Sequence, residues 1–256
     1  MFTASLKRGL KAGLIAGVAF GLFMALVANP LVAFADALGH ESTHVAGGHH
    51  DADTGGTHHA GIVSMTVANG VSIVSGLLWG VFLGMIVFGI VYYFLEPAIP
   101  GTGRTKSYFL GVAGFVTVSG APWLVLPPHP PGVDQPLPAE TRLMLYGGMM
   151  IAGAVVCLLS GAVYNRLRET RGGIVAALIA TLPFGLLAIP AVLSPANPAT
   201  GTLHPALATG LTGMVVFGQG LLWTLLAGVH ARLRPHETER RESEPTPAVD
   251  TAVTAD

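Results

Sequence analysis

Histidines and carboxylates are concentrated in one stretch near the N-terminus that has the composition of a metal-binding segment. Six of the ten histidines in this 256-residue chain lie between residues 40 and 59, and residues 36–64 contain no lysine or arginine. Imidazole nitrogens and carboxylate oxygens bind divalent transition metals, and no nearby cation competes with the metal here. The candidate ligands in this segment are His40, Glu41, His44, His49, His50, Asp51, Asp53, His58 and His59.

Further candidate ligands follow later in the chain. His129 lies in a proline-rich segment that also contains Asp134, and His204 directly precedes Pro205. Either histidine is explained equally well as an ordinary loop residue. Imidazole binds cobalt, nickel, zinc and copper, so the residue types leave the identity of the metal open. Because Cys157 is the single cysteine, a disulfide framework and cysteine-based zinc or iron–sulfur sites are excluded.

The rest of the chain has the composition of a multi-pass membrane protein. Hydrophobic residues make up 51% of it and charged residues 11%, whereas soluble domains have about 25% charged residues. Apolar segments long enough to cross about 30 Å of hydrocarbon predict six transmembrane helices. These span about residues 9–35, 71–95, 107–126, 143–164, 173–193 and 207–229. We therefore expect an all-α transmembrane bundle over residues 1–231 and a disordered tail over residues 232–256.

The positions of lysine and arginine predict how these helices are oriented. Twelve of the 13 basic residues flank the same ends of the six helices, with Arg142 as the exception. We expect the protein in the inner or plasma membrane of the cell. Because basic residues mark the cytoplasmic side, both termini are expected in the cytoplasm. Residues 36–70 then form an external loop, and eight of the ten histidines are external.

The first helix has a second interpretation. Residues 33–35, Ala-Phe-Ala before Asp36, resemble the cleavage site of a signal peptide, although the apolar run is long for one. Whether this helix is retained, and whether five or six helices span, stays open at this point. Glycines repeat every four residues over residues 9–21 and again over residues 76–84, which predicts close packing of the first two helices.

The predicted helix interiors contain few polar side chains. The midplanes contain no Asp, Glu, Lys, Arg or His, which argues against a proton relay and against a haem site with axial histidines. A path for an ion would use weaker groups, and the candidates are Asn69, Met149, Met150 and Gln219. The chain lacks a P-loop and the common protease and esterase motifs, so we expect neither ATP binding nor enzyme activity. The net charge of −1 indicates no nucleic-acid partner.

Several segments, taken in order, resemble the CbtA family, regarded as probable cobalt transporter subunits. They are the glycine repeat at residues 9–17, the Asn-Pro-Leu-Val exit at 29–32, residues 36–41, the Ala-Pro-Trp-Leu-Val-Leu-Pro-Pro-His-Pro-Pro-Gly stretch at 121–132 and the Tyr-Asn-Arg-Leu turn at 164–167. The resemblance implies a role with cobalt linked to cobalamin supply. It also implies a small partner, CbtB, that has one membrane helix and a histidine-containing end. Descriptions of this family often have five helices, whereas the hydropathy pattern predicts six.

Residue chemistry and resemblance together predict a membrane subunit that takes up a divalent transition metal, with cobalt favoured over nickel, zinc and copper. In this interpretation the external histidine-rich loop captures the ion. The alternative is a metal-binding membrane sensor or accessory protein without transport activity. A membrane enzyme is the least favoured class, because the helix interiors have so few ionisable groups.

Overall fold

The chain is helical wherever its structure is described. The computed structural model describes residues 2–35, 65–129, 135–197 and 205–234, and over these ranges the regular elements are helices, with no strand. The prediction of an all-α protein is confirmed. Hydrogen bonding within each helix satisfies the backbone polar groups, which is a requirement for a segment surrounded by lipid.

The described part of the chain forms six long helices. They are α1 Phe2–Ala35, α2 Met65–Leu95, α3 residues 105–123, α4 Ala139–Arg171, α5 Gly173–Leu193 and α6 Pro205–Arg232. All of these except α3 are long and apolar enough to span a membrane. Helix α3 has 19 residues, or about 28 Å of length, and it includes Lys106 in its first turn. The predicted multi-pass bundle of about six helices is confirmed.

The helices extend beyond the apolar segments that predicted them. Helix α2 begins at Met65, so residues 65–70 are helical although we expected them in the loop. Helix α4 runs from Ala139 to Arg171, whereas hydropathy predicted 143–164. Polar residues continue a helix at the ends of a membrane span, where hydropathy carries no signal. Gly172 ends α4 because its φ of 78° lies in the left-handed region, which a residue with a Cβ rarely adopts.

Helices α1 and α2 pack through their glycines, as the repeat predicted. A Cβ placed on Gly13 would lie 2.4 Å from the carbonyl oxygen of Gly80, and one on Gly80 would lie 2.3 Å from the Cα of Gly17. A Cβ placed on Gly9 would likewise lie 2.3 Å from the carbonyl oxygen of Gly84. The two backbones are therefore in direct contact along this seam, an approach that side chains would prevent.

Helix α6 completes a core with α1, α2 and α3. Leu222 and Leu226 are buried in this core together with Phe88 of α2. Trp223 packs over Gly114 of α3, where a Cβ would lie 2.1 Å from the indole ring. A second core lies between the end of α3 and helices α4 and α5, and its buried members are Ala121, Val125, Met149, Val156 and Leu187.

The helices alternate in direction, so residues from distant parts of the chain meet at each end of the bundle. At one end Asn165 donates to the carbonyl of Ala98 at 2.8 Å, and Arg234 lies 2.8 Å from Glu96. Ten lysines and arginines flank the helices here, and we call this the basic end. At the other end, which we call the opposite end, Asn197 donates to Gln135 at 3.1 Å.

Candidate functional site

Most of the predicted metal ligands lie outside the described residues. These are the nine candidates between residues 40 and 59, together with Asp134 and His204. Their role as ligands stays a prediction. Within the described ranges, no group of three or more His, Cys, Asp or Glu side chains is arranged to hold a metal ion. Between the described helices, hydrogen bonds join polar side chains from different helices.

His129 lies at the opposite end, beside the N-terminal turns of α6. The carbonyl of the preceding Pro128 accepts a hydrogen bond from Thr212 of α6 at 3.4 Å, which ties this segment to the helix. The Nε2 atom of His129 is buried and has no hydrogen-bond partner among the described residues. One ring nitrogen does not form a metal site by itself, and the role of His129 as a ligand stays a prediction.

Asn69, the first of the predicted path residues, joins α2 to α1. Asn29 donates to the side-chain oxygen of Asn69 at 2.8 Å and to the hydroxyl of Ser72 at 3.0 Å. Ser72 in turn donates to the side-chain oxygen of Asn29 at 3.2 Å. This three-residue contact fixes the end of α1 and the start of α2 at the opposite end of the bundle. Amide and hydroxyl oxygens are weak ligands for a transition metal, and the role of Asn69 in an ion path stays a prediction.

Gln219 lies deeper, between α6 and α3. Its side-chain oxygen accepts a hydrogen bond from Ser119 at 3.2 Å. Ser119 belongs to a π-helical turn over Val116–Gly120, in which the carbonyl of Val118 accepts a hydrogen bond from the hydroxyl of Tyr146 at 2.5 Å. π-helical turns often occur at functional sites because they leave backbone groups free for other partners.

The structure does not gather the four predicted path residues into one place. Met149 is 2% exposed and belongs to the core between α3, α4 and α5, and Met150 follows it on α4. Asn69 and Gln219 instead have partners on α1 and α3, and no described hydrogen bond links either of them to a methionine. Met149 therefore packs against apolar neighbours, while the two amides contact other polar groups.

His230 is a buried polar residue that lies one position beyond the predicted end of the sixth helix at residue 229. It lies in the last turn of α6 with no exposed surface, and its Nδ1 atom is 2.9 Å from the hydroxyl oxygen of Ser107. The ring packs against Phe88 and Tyr92 of α2, with centroids 5.2 Å and 4.7 Å apart. Its Nε2 atom is buried without a hydrogen-bond partner in the described part of the chain.

The spacing of buried residues on α6 contained the signal for His230. Leu222, Leu226 and His230 recur every four residues, which places them on one face of a helix. The hydropathy of the segment falls at His230, and for that reason the predicted helix ended at residue 229. Extending the same face by one turn would have placed the imidazole inside the bundle.

Arg234 closes the basic end beside His230. Its guanidinium group donates to the carbonyl of Gly103 at 2.6 Å and to Glu96 at 2.8 Å, and it also contacts the hydroxyl of Tyr92. Arg234, which follows α6, thereby joins Glu96 after α2 to Gly103 in the turn before α3. Polar contacts thus occur at three depths between α1, α2, α3 and α6. Gln219 and His230, eleven residues apart, are separated by about 16 Å of helix.

Comparison with known proteins gives one match. A family model for CbtA, described as a probable cobalt transporter subunit, matches residues 2–234, which is nearly the whole chain. No curated protein and no solved structure matches it. The matched range includes the six helices and both ends of the bundle.

Proposed function

The chain belongs to the CbtA family, and on this premise we propose that it captures cobalt from outside the cell with its histidine-rich loop and passes the ion inward. The protein is a multi-pass membrane protein and a subunit of a cobalt transporter, as its family and its five long apolar helices show. The loop, the direction of transport and the route belong to the proposal. The small single-helix CbtB-like protein is its proposed partner.

One observation carries the proposal: the basic residues flank one end of the bundle, whereas the histidine-rich segment connects two helices at the other end. The contact between Asn29 and Asn69 holds the end of α1 and the start of α2 together at the opposite end. The connection over residues 36–64, with its six histidines, therefore begins and ends there. Ten lysines and arginines lie at the basic end, which is expected to face the cytoplasm. This arrangement supports a metal-collecting segment on the outer side.

The bundle supports passage of an ion rather than its storage. In the described residues no three His, Cys, Asp or Glu side chains are arranged to hold a metal ion, and the amide oxygens of Asn69 and Gln219 accept hydrogen bonds from other side chains. Weak and separated contacts let a cation leave as readily as it enters, a requirement for conduction. Since the chain has no P-loop, the energy for uptake comes from the membrane potential or from the partner subunits.

Metal accumulation in cells tests the proposal. Cells that express this chain with its single-helix partner are compared with empty-vector cells for uptake of cobalt, nickel, zinc and copper at low external concentration. We expect cobalt to accumulate above the control, with the other metals behind it. If the purified chain binds cobalt but expressing cells accumulate no more than controls, the chain is a sensor or accessory protein instead.

A further inference from the structure

An apolar groove of about 630 Å³ lies between α3, α4, α5 and the turn after α2. The residues that line it include Leu95, Pro100, Phe109, Ala113, Cys157 and Phe184. It opens on the lipid-facing surface, because Phe109, Val112 and Leu158 line it and are 44%, 62% and 53% exposed. The groove extends to the basic end, where Asn165 and Ala98 form part of its wall.

Three polar side chains of this wall donate to backbone carbonyls. Ser160 donates to Ala180 at 2.6 Å, Thr181 donates to Leu178 at 2.7 Å, and Asn165 donates to Ala98. The groove therefore presents mainly hydrocarbon to its occupant, together with the hydroxyl of the lining residue Tyr164. An apolar ligand with no need for hydrogen bonds at this depth matches such a surface.

The shape and lining of the groove suit a flexible apolar occupant. It is bounded by three helices and one turn and is open on its lipid side. A flexible acyl chain can lie in it, running from the basic end toward the middle of the membrane.

Positive charge flanks the basic end of the groove. Lys106 precedes the lining residue Leu110 by four positions, and Arg168 follows the lining residue Tyr164 by four. Both cations therefore lie on the faces of α3 and α4 that line the groove, one turn nearer the basic end. The ammonium of Lys106 donates one of its three N–H groups to the carbonyl of Glu96 at 2.9 Å, which holds it beside the turn after α2. The neighbouring charges that add to or oppose this field are Arg104, Arg166, Arg171, Glu169 and Glu96, the last ion-paired with Arg234.

We propose that this groove binds one anionic glycerophospholipid, with an acyl chain between α3, α4 and α5 and its phosphate group at Lys106 and Arg168. Basic positions between transmembrane helices on the cytoplasmic side are suited to anionic headgroups. The charge pattern favours this occupant over a zwitterionic lipid, whose ammonium group the cations repel. The lipid fills the gap between the two cores and so stabilises α5 against the rest of the bundle.

Native mass spectrometry tests the proposed lipid site. The full chain is released from nanodiscs of phosphatidylcholine that contain a minor fraction of phosphatidylglycerol. We expect one phosphatidylglycerol retained per chain. Replacing either cation, by Lys106→Gln or Arg168→Gln, lowers the retained fraction about fivefold, and the double variant lowers it about twentyfold or more. Arg232→Gln is the matched control, because Arg232 is an exposed cation of α6 at the same end and α6 does not line the groove.

A second pair of variants tests the acyl site without changing charge. Ala177 is exposed and lines the groove, so Ala177→Phe fills it and abolishes retention. Ala188 is exposed on the same helix outside the lining, and Ala188→Phe leaves retention unchanged. Equal retention in the charge variants and Arg232→Gln, equal retention of the two lipids, or retention by Ala177→Phe would each overturn the proposal. Dimers that Ala177→Phe dissociates would show that a second copy occupies the groove.

Discussion

The hydroxyl of Ser107 on α3 lies 2.9 Å from Nδ1 of His230 on α6, and neither side chain has exposed surface. This contact joins residues 123 positions apart and lies beside the rings of Phe88 and Tyr92. A buried imidazole without its partner would leave a polar atom unsatisfied in an apolar core, which carries a full desolvation cost. The pair therefore holds α3 against α6.

Removing the hydroxyl of this pair destabilises the bundle. We expect Ser107→Ala to lower the free energy of unfolding by about 1–3 kcal/mol, because Nδ1 of His230 loses its partner. Thermal unfolding of the purified chain in detergent measures the change. Thr209→Ala is the control, since that exposed hydroxyl donates to Pro205 one turn earlier in its own helix, at 2.9 Å. Equal effects of the two substitutions would contradict the structural role of the pair.

The glycine seam predicts a position-dependent effect of a single methyl group. Gly80→Ala places a Cβ within 2.3 Å of the backbone of α1, so the helices have to separate and stability falls by about 1–3 kcal/mol or more. Gly210→Ala on α6 has nothing within 4 Å of the new Cβ and is the matched control. Melting temperatures of the two variants decide the matter, and a Gly80→Ala variant as stable as Gly210→Ala would show that the seam is looser than described.

The contacts of Arg234 differ in strength, because Glu96 is 40% exposed while Arg234 is 16% exposed. Solvent screens the ion pair, so Glu96→Gln costs less than about 1 kcal/mol. Arg234→Ala costs more, because it also removes the hydrogen bond to Gly103 and the contact with Tyr92. Unfolding of both variants at low and high potassium chloride separates the contributions. A loss for Glu96→Gln as large as that for Arg234→Ala would assign the stabilisation to the ion pair instead.

Deleting the histidine-rich segment separates capture from passage. With residues 39–60 removed, we expect the external cobalt concentration needed for half-maximal uptake to rise, while the maximal rate stays largely unchanged. The reason is that, in the proposed function, the segment concentrates the ion outside the bundle and the helices carry it across. Concentration-dependent cobalt uptake measures both quantities, and a spacer of equal length made of glycine and serine is the control for loop length. Loss of the maximal rate with normal membrane insertion would place the segment in the route itself.

Reporter fusions test the predicted orientation. A reporter attached after residue 234 is expected on the cytoplasmic side, because the basic end faces inward. One inserted at residue 50 is expected outside, in the connection that begins and ends at the opposite end. Paired enzyme reporters, one active only in the cytoplasm and one only outside, read both positions. An external C-terminus would be incompatible with six spanning helices whose N-terminus is cytoplasmic.

Much of the fold followed from local composition. The six helices, the close approach of α1 and α2, and the gathering of basic residues at one end were all readable, because hydropathy, glycine spacing and charge act within one or two turns of the chain. Helix ends were less accurate, as at Met65 and Arg171, since polar residues continue a helix without an apolar signal. The predicted ligands between residues 40 and 59 lie outside the described chain and stay predictions.

The polar contacts between helices depend on which helices are adjacent, and no local sequence pattern specifies that. The sequence by itself determined an all-helical membrane protein, and it identified the family resemblance that the match over residues 2–234 confirms. The tertiary structure alone decided that His230 is inside the bundle, that Asn69 meets Asn29, and that α3, α4 and α5 leave a groove. Each of these depends on which helices are adjacent and at what rotation. Contacts between residues far apart in the chain decide that choice, and local hydropathy does not encode them.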